Sequence, residues 1–169
     1  MTHNATKRAV ILASGGMDSA TAAYEAKERG YELCFLHTSY GQNTETVELK
    51  RAREQAKRLN AADFLHIKTE HLTQIGASSL TDDEIEVENA DLESDEVPNS
   101  YVPFRNANLL AMAVSYAEAN DCDAIFIGTH SEDFSGYPDC QPEFFDAFQD
   151  VVEAGTKEET NIDLIAPFI

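Results

Sequence analysis

The sequence predicts an α/β fold, in which a doubly wound, mostly parallel sheet of about five strands carries helices on both faces. Short apolar runs alternate with longer amphipathic runs along the 169 residues. The apolar runs have the length of buried strands, and the amphipathic runs have helical spacing. The chain length suits one compact unit, so residues 1–169 are interpreted as a single domain.

The first part of the chain supplies three predicted strands and two predicted helices. The strands are residues 8–13, 32–38 and 64–68. Residues 18–29 are rich in alanine and precede Gly30, a typical helix stop. Residues 44–59 carry their acidic side chains early and their basic side chains late, an arrangement that the helix dipole favours.

Residues 71–100 interrupt this rhythm with a dense run of acidic side chains, and we predict a long loop there. The alternation then resumes. Helices are predicted at 106–120 and 142–154, the second with Pro142 in its first turn and Gly155 just beyond its end. Strands are predicted at 124–129 and 162–166. Because ligands bind outside the carboxyl ends of parallel strands, the residues that follow each strand are the candidate site.

Composition excludes several classes of function. The chain has 12 Lys+Arg against 31 Asp+Glu, a formal net charge of −19, which argues against a surface that binds nucleic acid. No apolar stretch is long enough to span a membrane. The polar start and three widely spaced cysteines indicate a cytoplasmic chain without a signal peptide or a disulfide framework. The acidity fits either a high-salt cytoplasm or an ordinary acidic enzyme.

The strongest motif is Ser14-Gly15-Gly16-Met17-Asp18-Ser19, between a predicted strand and a predicted helix. Glycine lets the backbone approach an anion closely, and a helix N-terminus offers free N–H groups. The spacing is not that of a Walker A loop, and the lysine of that loop is missing. Asp18 would repel a phosphate unless a metal ion lay between them, so Mg²⁺ is expected.

This motif resembles the SGGxDS loop of the ATP-pyrophosphatase (PP-loop) family, whose fold is of the adenine nucleotide alpha hydrolase type. Those enzymes cleave ATP between its α- and β-phosphates. The resemblance implies that ATP and Mg²⁺ are the cofactors and that Asp18 and Arg105 are catalytic. The implied ATP-binding residues are Ala13, Ser14, Gly15, Gly16, Met17, Asp18, Ser19, Leu36, His37 and Thr38.

Three further segments, at 39–42 (SYGQ), 101–106 (YVPFRN) and 135–140 (SGYPDC), narrow the resemblance to the 7-cyano-7-deazaguanine synthases, as does 79–82 (SLTD). That family makes the deazapurine precursor of queuosine or archaeosine in tRNA. The resemblance implies a homodimeric ligase that joins 7-carboxy-7-deazaguanine and ammonia through adenylated intermediates. The implied substrate contacts are Tyr40, Gln42, Arg105, Asn106, Asp133, Tyr137 and Asp139.

The sequence departs from the family pattern in three places. Ser39 stands where the family has Asp, and Phe104 stands where it has Gly. The four cysteines that hold the family's structural zinc would lie beyond residue 169, so we expect no zinc ligands here. Cys34 and Cys122 are predicted to be core residues, and Cys140 a packing residue. The apolar stripe of residues 144, 145, 148, 151 and 152 is predicted to be core or subunit interface.

Two other functions remain open at this point. One is another PP-loop ATP-pyrophosphatase, acting in tRNA thiolation or amidation, although the net charge and scattered cysteines argue against tRNA thiolation. The other is an ATP-binding domain without turnover, because the zinc-binding segment is missing.

Overall fold

The computed structural model describes residues 6–76, 78, 101–130 and 137–169. Within these residues, five parallel strands form one sheet with the order β3-β2-β1-β4-β5. The predicted doubly wound α/β fold is therefore confirmed. The 79–82 segment, the acidic residues 82–96 and Asp133 lie outside the described residues.

The secondary structure follows the predicted order. The strands are β1 Arg8–Leu12, β2 Glu32–Ser39, β3 Asp63–Lys68, β4 Ala124–Ile127 and β5 Asp163–Ile165. The helices are α1 Met17–Glu28, α2 Glu45–Arg58, α3 His71–Ile75, α4 Arg105–Ala119 and α5 Pro142–Gly155, with a 3-10 turn at Pro138–Cys140.

The structure departs from two of these predictions. The short helix α3 lies within the segment 71–100, which we predicted to be loop. Five residues are too few to show a helical periodicity, and the helix depends on the burial of Leu72. Gly155 is the last residue of α5 and does not follow the helix.

The sheet is covered on both faces, because alternate residues of each strand point to opposite sides. Val10 and Leu12 of β1 belong to the core beneath α4 and α5. Ala9 and Ile11 belong to the core beneath α1 and α2, where small side chains such as Ala22 allow the helices close approach. Cys34 and Cys122 are buried in the first of these cores, as predicted.

The strand order places three carboxyl ends side by side. In register, Leu12 at the end of β1 lies opposite Leu36 of β2 on one side and Ile127 of β4 on the other. The chain moves outward from β1 to β3 and then returns to add β4 on the other side of β1. This reversal creates the crevice in which ligands bind in doubly wound sheets.

Candidate functional site

A cavity of about 210 Å³ opens at the carboxyl ends of β1, β2 and β4. Many of the predicted ATP and substrate residues line it: Ala13, Ser14, Ser19, Leu36, His37, Thr38, Tyr40, Gln42, Arg105 and Asn106. Thr129 also lines it, at the end of the fourth predicted strand, where ligand contacts are expected. The lining residues that were not predicted from the sequence are Leu12, Glu48, Leu109, Ile127 and Gly128. The predicted residues that are described but do not line it are Gly15, Gly16, Met17, Asp18, Tyr137 and Asp139.

The loop from Ser14 to Ser19 is ordered by a closed ring of three hydrogen bonds. Ser14 Oγ donates to Ser19 Oγ at 3.1 Å, and Ser19 Oγ also donates to the Gly16 carbonyl at 3.2 Å. The Gly16 N–H completes the ring by donating to Ser14 Oγ at 3.2 Å. Helix α1 begins within this segment, at Met17, so the N–H groups of its first turn have no partner within the helix.

Two glycines let neighbouring elements press against this loop. Gly15 has a φ of +79°, and a Cβ on it would lie 2.4 Å from the Glu48 carbonyl oxygen of α2. A Cβ on Gly128, after β4, would lie 2.5 Å from the carbonyl carbon of Asp18. The loop is therefore held between α2 and the end of β4, and larger residues would displace it.

Asp18 projects from the start of α1 with its side chain 48% exposed. Its carboxylate lies 3.1 Å from Nε2 of His130, an ion-pair distance without hydrogen-bond geometry. His130 stacks on Phe168, with ring centroids 4.6 Å apart. From the sequence, His130 was noted, with His37, as a residue after a strand that could touch a ligand. Its contact with Asp18 depends on the neighbouring positions of β1 and β4 in the sheet.

Buried polar atoms without partners point into the cavity. His37 is 1% exposed, and its Nδ1 lies 2.6 Å from the Ala13 carbonyl oxygen, to which it donates. Within the described residues, His37 Nε2 and the hydroxyls of Thr38 and Thr129 have no hydrogen-bond partner. Because buried polar groups are nearly always satisfied, these atoms are suited to bind the polar groups of a ligand.

The start of α4 is tied to the segment that precedes α5. Asp139 Oδ2 accepts the Asn106 N–H at 2.8 Å, and Asn106 Nδ2 donates to the Asp139 carbonyl oxygen at 2.9 Å. Asp139 is 3% exposed, and burial raises its pKa, while the Asn106 N–H and the Arg105 charge oppose this rise. This carboxylate thus caps α4 and holds Arg105 and Asn106 at the cavity.

Arg105 is the cation that α4 presents to the cavity. Burial acts against its charge, but a hydrogen bond with Tyr40 and the nearby Asp139 carboxylate raise the pKa of Arg105. The guanidinium therefore stays charged and is suited to bind an anionic group, pyrophosphate or a carboxylate. Tyr40 comes from the end of β2, so two elements distant in sequence build this part of the site.

The residue before Arg105 has an unusual backbone. Phe104 has a φ of +57° and a ψ of 28°, the left-handed region that glycine adopts readily. The side chain is 59% exposed and contacts Phe144 of α5, with centroids 6.3 Å apart. Phe104 thus adopts a left-handed backbone conformation at the cost of strain.

The other departure, Ser39, does not line the cavity. Its Oγ lies 2.8 Å from Nε2 of His66 on the neighbouring strand β3. Burial, together with the neighbouring His37, lowers the pKa of His66. Ser39 therefore makes a contact within the sheet and not with the cavity.

Tyr137 and Cys140 flank the predicted substrate turn. Tyr137 is 7% exposed and packs against Tyr101, with ring centroids 5.4 Å apart. Cys140 is also buried and accepts a hydrogen bond from Asn106 Nδ2 at 3.2 Å. Burial and the Asp139 carboxylate raise the pKa of this thiol, so it is protonated and packs, as predicted.

Glu48 was missed because an acid in the first turn of a helix is usually explained by the helix dipole. Its carboxylate accepts hydrogen bonds from Gln42 Nε2 at 2.8 Å and from the Thr44 hydroxyl at 2.5 Å. Gln42 Oε1 in turn accepts the Tyr40 N–H at 2.9 Å. The chain of bonds fixes the loop after β2 against α2.

The described residues contain no group of three or more His, Cys, Asp or Glu side chains that could hold a metal ion. The three cysteines are buried and form no disulfide. In the same part of the chain, every helix is too short or too polar to cross a membrane.

The sequence matches the family model described as queuosine biosynthesis protein QueC over residues 8–169. Relatives named 7-cyano-7-deazaguanine synthase include that of Haloarcula marismortui, 72% identical over 96% of this chain and 70% of the relative. The Halobacterium salinarum relative is 71% identical, over 96% of this chain and 71% of its own length. That of Methanoculleus marisnigri is 56% identical, over 96% of this chain and 73% of the relative.

Solved structures share the fold. One is a predicted subunit of a tRNA methyltransferase from Methanocaldococcus jannaschii, with a TM-score of 0.58 and 16% identity over 96% of this chain and 68% of that one. Another is a 4-thiouridine synthetase in an RNA complex with bound ATP, with a TM-score of 0.52 and 16% identity over 95% of this chain and 36% of that one. At this identity they support the architecture alone.

Proposed function

This chain belongs to the queuosine biosynthesis protein QueC family, and from that premise we propose that it converts 7-carboxy-7-deazaguanine and ammonia to 7-cyano-7-deazaguanine at the expense of ATP. Its relatives of 72% and 71% identity bear the name of this synthase. The observation that carries the proposal is the cavity at the carboxyl ends of β1, β2 and β4, which joins the Ser14–Ser19 loop to Arg105 and Asn106.

Each half of the cavity has a proposed partner. The N–H groups of the loop and of the first turn of α1 bind the phosphates of ATP, as helix N-termini bind anions. The orphaned polar atoms of His37 and Thr38 face the adenine and ribose. Arg105 holds the departing pyrophosphate or the substrate carboxylate, and Tyr40, Gln42 and Asn106 contact the deazaguanine.

Three of the predicted substrate contacts are not among the residues that line the cavity. Asp139 and Tyr137 are buried beside the cavity, so we propose that they support the deazaguanine pocket mainly by holding Asn106 and Tyr101. Asp133 lies outside the described residues, and its contact with substrate stays a prediction.

The chemistry requires two activations. The substrate carboxylate attacks the α-phosphorus of ATP and releases pyrophosphate; ammonia then displaces AMP to give the amide. The amide oxygen attacks the α-phosphorus of a second ATP, and loss of AMP and protons leaves the nitrile. The chain contributes by alignment of the two reactants and by fixed N–H groups at the phosphates, where negative charge shifts.

The two metal ions of the proposal, Mg²⁺ and Zn²⁺, differ in how well the described residues suit them. Asp18 is exposed enough to share a Mg²⁺ ion with the phosphates, and such an ion would offset the charge of the leaving pyrophosphate. The residues that the structure describes do not fit a zinc site, since Cys34, Cys122 and Cys140 do not form one cluster with other ligands. No step of the reaction is assigned to zinc.

We also propose a domain organisation, an oligomeric state and a cellular environment for this protein. The chain acts as one PP-loop domain over residues 1–169 and as a homodimer, which the exposed Val151 of α5 and the half-buried Phe144 and Phe148 support. Cytoplasmic activity is supported by three buried thiols without disulfides. The net charge of −19 supports a high-salt environment.

The test is an assay in molar KCl with ATP, Mg²⁺, ammonia and 7-carboxy-7-deazaguanine, with AMP and nitrile followed by mass spectrometry. We expect two AMP for each nitrile. Formation of AMP without nitrile would indicate a different acceptor. Tight ATP binding without AMP release would indicate an ATP-binding domain without turnover.

A further inference from the structure

Gln55 of α2 reaches the backbone of the phosphate-binding loop. Its Nε2 lies 3.2 Å from the Gly15 carbonyl oxygen and 3.4 Å from the Gly16 carbonyl oxygen. Both distances fall within hydrogen-bond range, the second at its long end. In the sequence, Gln55 stands between Arg53 and Lys57 on a helix of charged residues, where nothing marks it as functional.

The two carbonyls matter because of their direction. A loop that binds phosphate must turn its N–H groups toward the anion and its carbonyl groups away from it. Gln55 holds the carbonyls of Gly15 and Gly16 on the α2 side, and the positive φ of Gly15 permits this orientation. We propose that Gln55 is a positioning residue that presets the Ser14–Ser19 loop for the phosphates of ATP. This inference rests on the proposed function.

The chemistry of the side chain fits this role. An amide nitrogen carries two hydrogens, so it is able to serve two carbonyl groups. The reversed amide would set Oε1 against two carbonyl oxygens, and repulsion excludes it. In the observed orientation Oε1 is buried, with no partner among the described residues. A buried acceptor without a partner lowers the stability of the fold. The placement of Gln55 is therefore better explained by its effect on the loop geometry than by a contribution to stability.

The test compares ATP with adenosine, which lacks the phosphates. Both are titrated calorimetrically against the full chain and against Gln55→Leu in molar KCl with Mg²⁺. We expect Gln55→Leu to weaken ATP binding by about five- to tenfold, the effect of a lost neutral hydrogen bond or slightly more. Adenosine affinity should change by less than about twofold, because base and ribose contacts do not involve the loop carbonyls.

Gln149→Leu is the matched control. Gln149 of α5 also clamps backbone, since its Nε2 donates to the Ile162 carbonyl oxygen at 3.1 Å and its Oε1 accepts the Leu164 N–H at 2.8 Å. These bonds lie at the amino end of β5, away from the loop. The control should lower the melting temperature and leave both affinities unchanged. Gln55→Met serves as a second apolar variant if Gln55→Leu does not fold.

The outcomes separate the inference from the function. Equal ATP affinity in wild type and in the Gln55 variant would overturn the role of Gln55 and leave the function intact. Parallel loss of ATP and adenosine affinity would also overturn it, because general damage to the fold would then explain the result. A wild-type chain that binds neither compound would overturn the proposed function, and this inference with it.

Discussion

The imidazole Nε2 of His130 lies 3.1 Å from a carboxylate oxygen of Asp18, so the segment after β4 supplies a partner for the acid of the Ser14–Ser19 loop. Their side chains are 31% and 48% exposed, and a pair this open contributes little to stability. Its effect should instead appear in binding when the imidazole is protonated, since a positive charge on His130 then offsets a negative charge next to the phosphates of ATP.

Replacement of His130 by alanine is expected to weaken ATP binding by about two- to fivefold without Mg²⁺, because the Asp18 carboxylate then stands uncompensated. Mg²⁺ should reduce the effect. Calorimetric titration with and without Mg²⁺ measures it. In an Asp18→Asn background the His130 substitution should change nothing further, and an undiminished effect there would contradict the pairing.

Gly15→Ala should destabilise the chain more than Gly30→Ala. Both positions have a positive φ, +79° and +86°, so both substitutions introduce backbone strain. A Cβ at Gly30 meets nothing within 4 Å, whereas at Gly15 it would collide with the Glu48 carbonyl. We expect losses of about 1 kcal/mol for Gly30→Ala and about 3 kcal/mol or more for Gly15→Ala. Urea unfolding measures both, and equal losses would contradict the close approach of α2.

The strain at Phe104 can be isolated by two substitutions. Both Phe104→Ala and Phe104→Gly remove the contact with Phe144, but only glycine relieves the left-handed backbone. Phe104→Gly is therefore expected to unfold with a free energy about 1 kcal/mol higher than Phe104→Ala. Denaturant unfolding of the two variants under one set of conditions decides the matter. An alanine variant at least as stable as the glycine variant would show that position 104 is unstrained.

The buried carboxyl of Asp139 should make stability depend on pH in one direction. Burial raises its pKa, so the folded chain binds this proton more tightly than the unfolded chain. Its contribution to the free energy of unfolding is greatest below the ordinary carboxyl pKa and falls as pH rises through the raised value. The Asp139→Asn variant has no titrating group at position 139. The difference between its free energy of unfolding and that of the wild type, measured across pH, therefore isolates the contribution of the Asp139 carboxyl.

The wild-type stability relative to Asp139→Asn should thus decline from acid pH toward neutral pH. A difference that grows with pH would mean that the Asn106 N–H and Arg105 outweigh burial and lower the pKa. Asp146→Asn, on α5, is a control at a carboxyl for which no role is proposed.

Local patterns in the sequence predicted the architecture and several of the residues that line the cavity. Strand-length apolar runs and helical periodicities led to five strands in the right order along the chain, and Ser14–Ser19 was recognised from residue types alone. The helix α3 was missed, because its stability comes from the burial of Leu72 beneath other elements. Glu48 was missed for a related reason: its hydrogen-bond partners come from the loop after β2.

The sequence by itself was sufficient to predict the α/β class, to single out the Ser14–Ser19 motif and to identify the family resemblance. Each of these depends on patterns within short segments. Which side chains meet was decided by the spatial order β3-β2-β1-β4-β5. That order brings His130 to Asp18 and Thr129 to the cavity, and helix packing brings Gln55 to the Gly15 carbonyl. Such contacts join residues far apart in the chain. They form because strands and helices pack so as to bury both faces of the sheet, and this packing determines which side chains become neighbours.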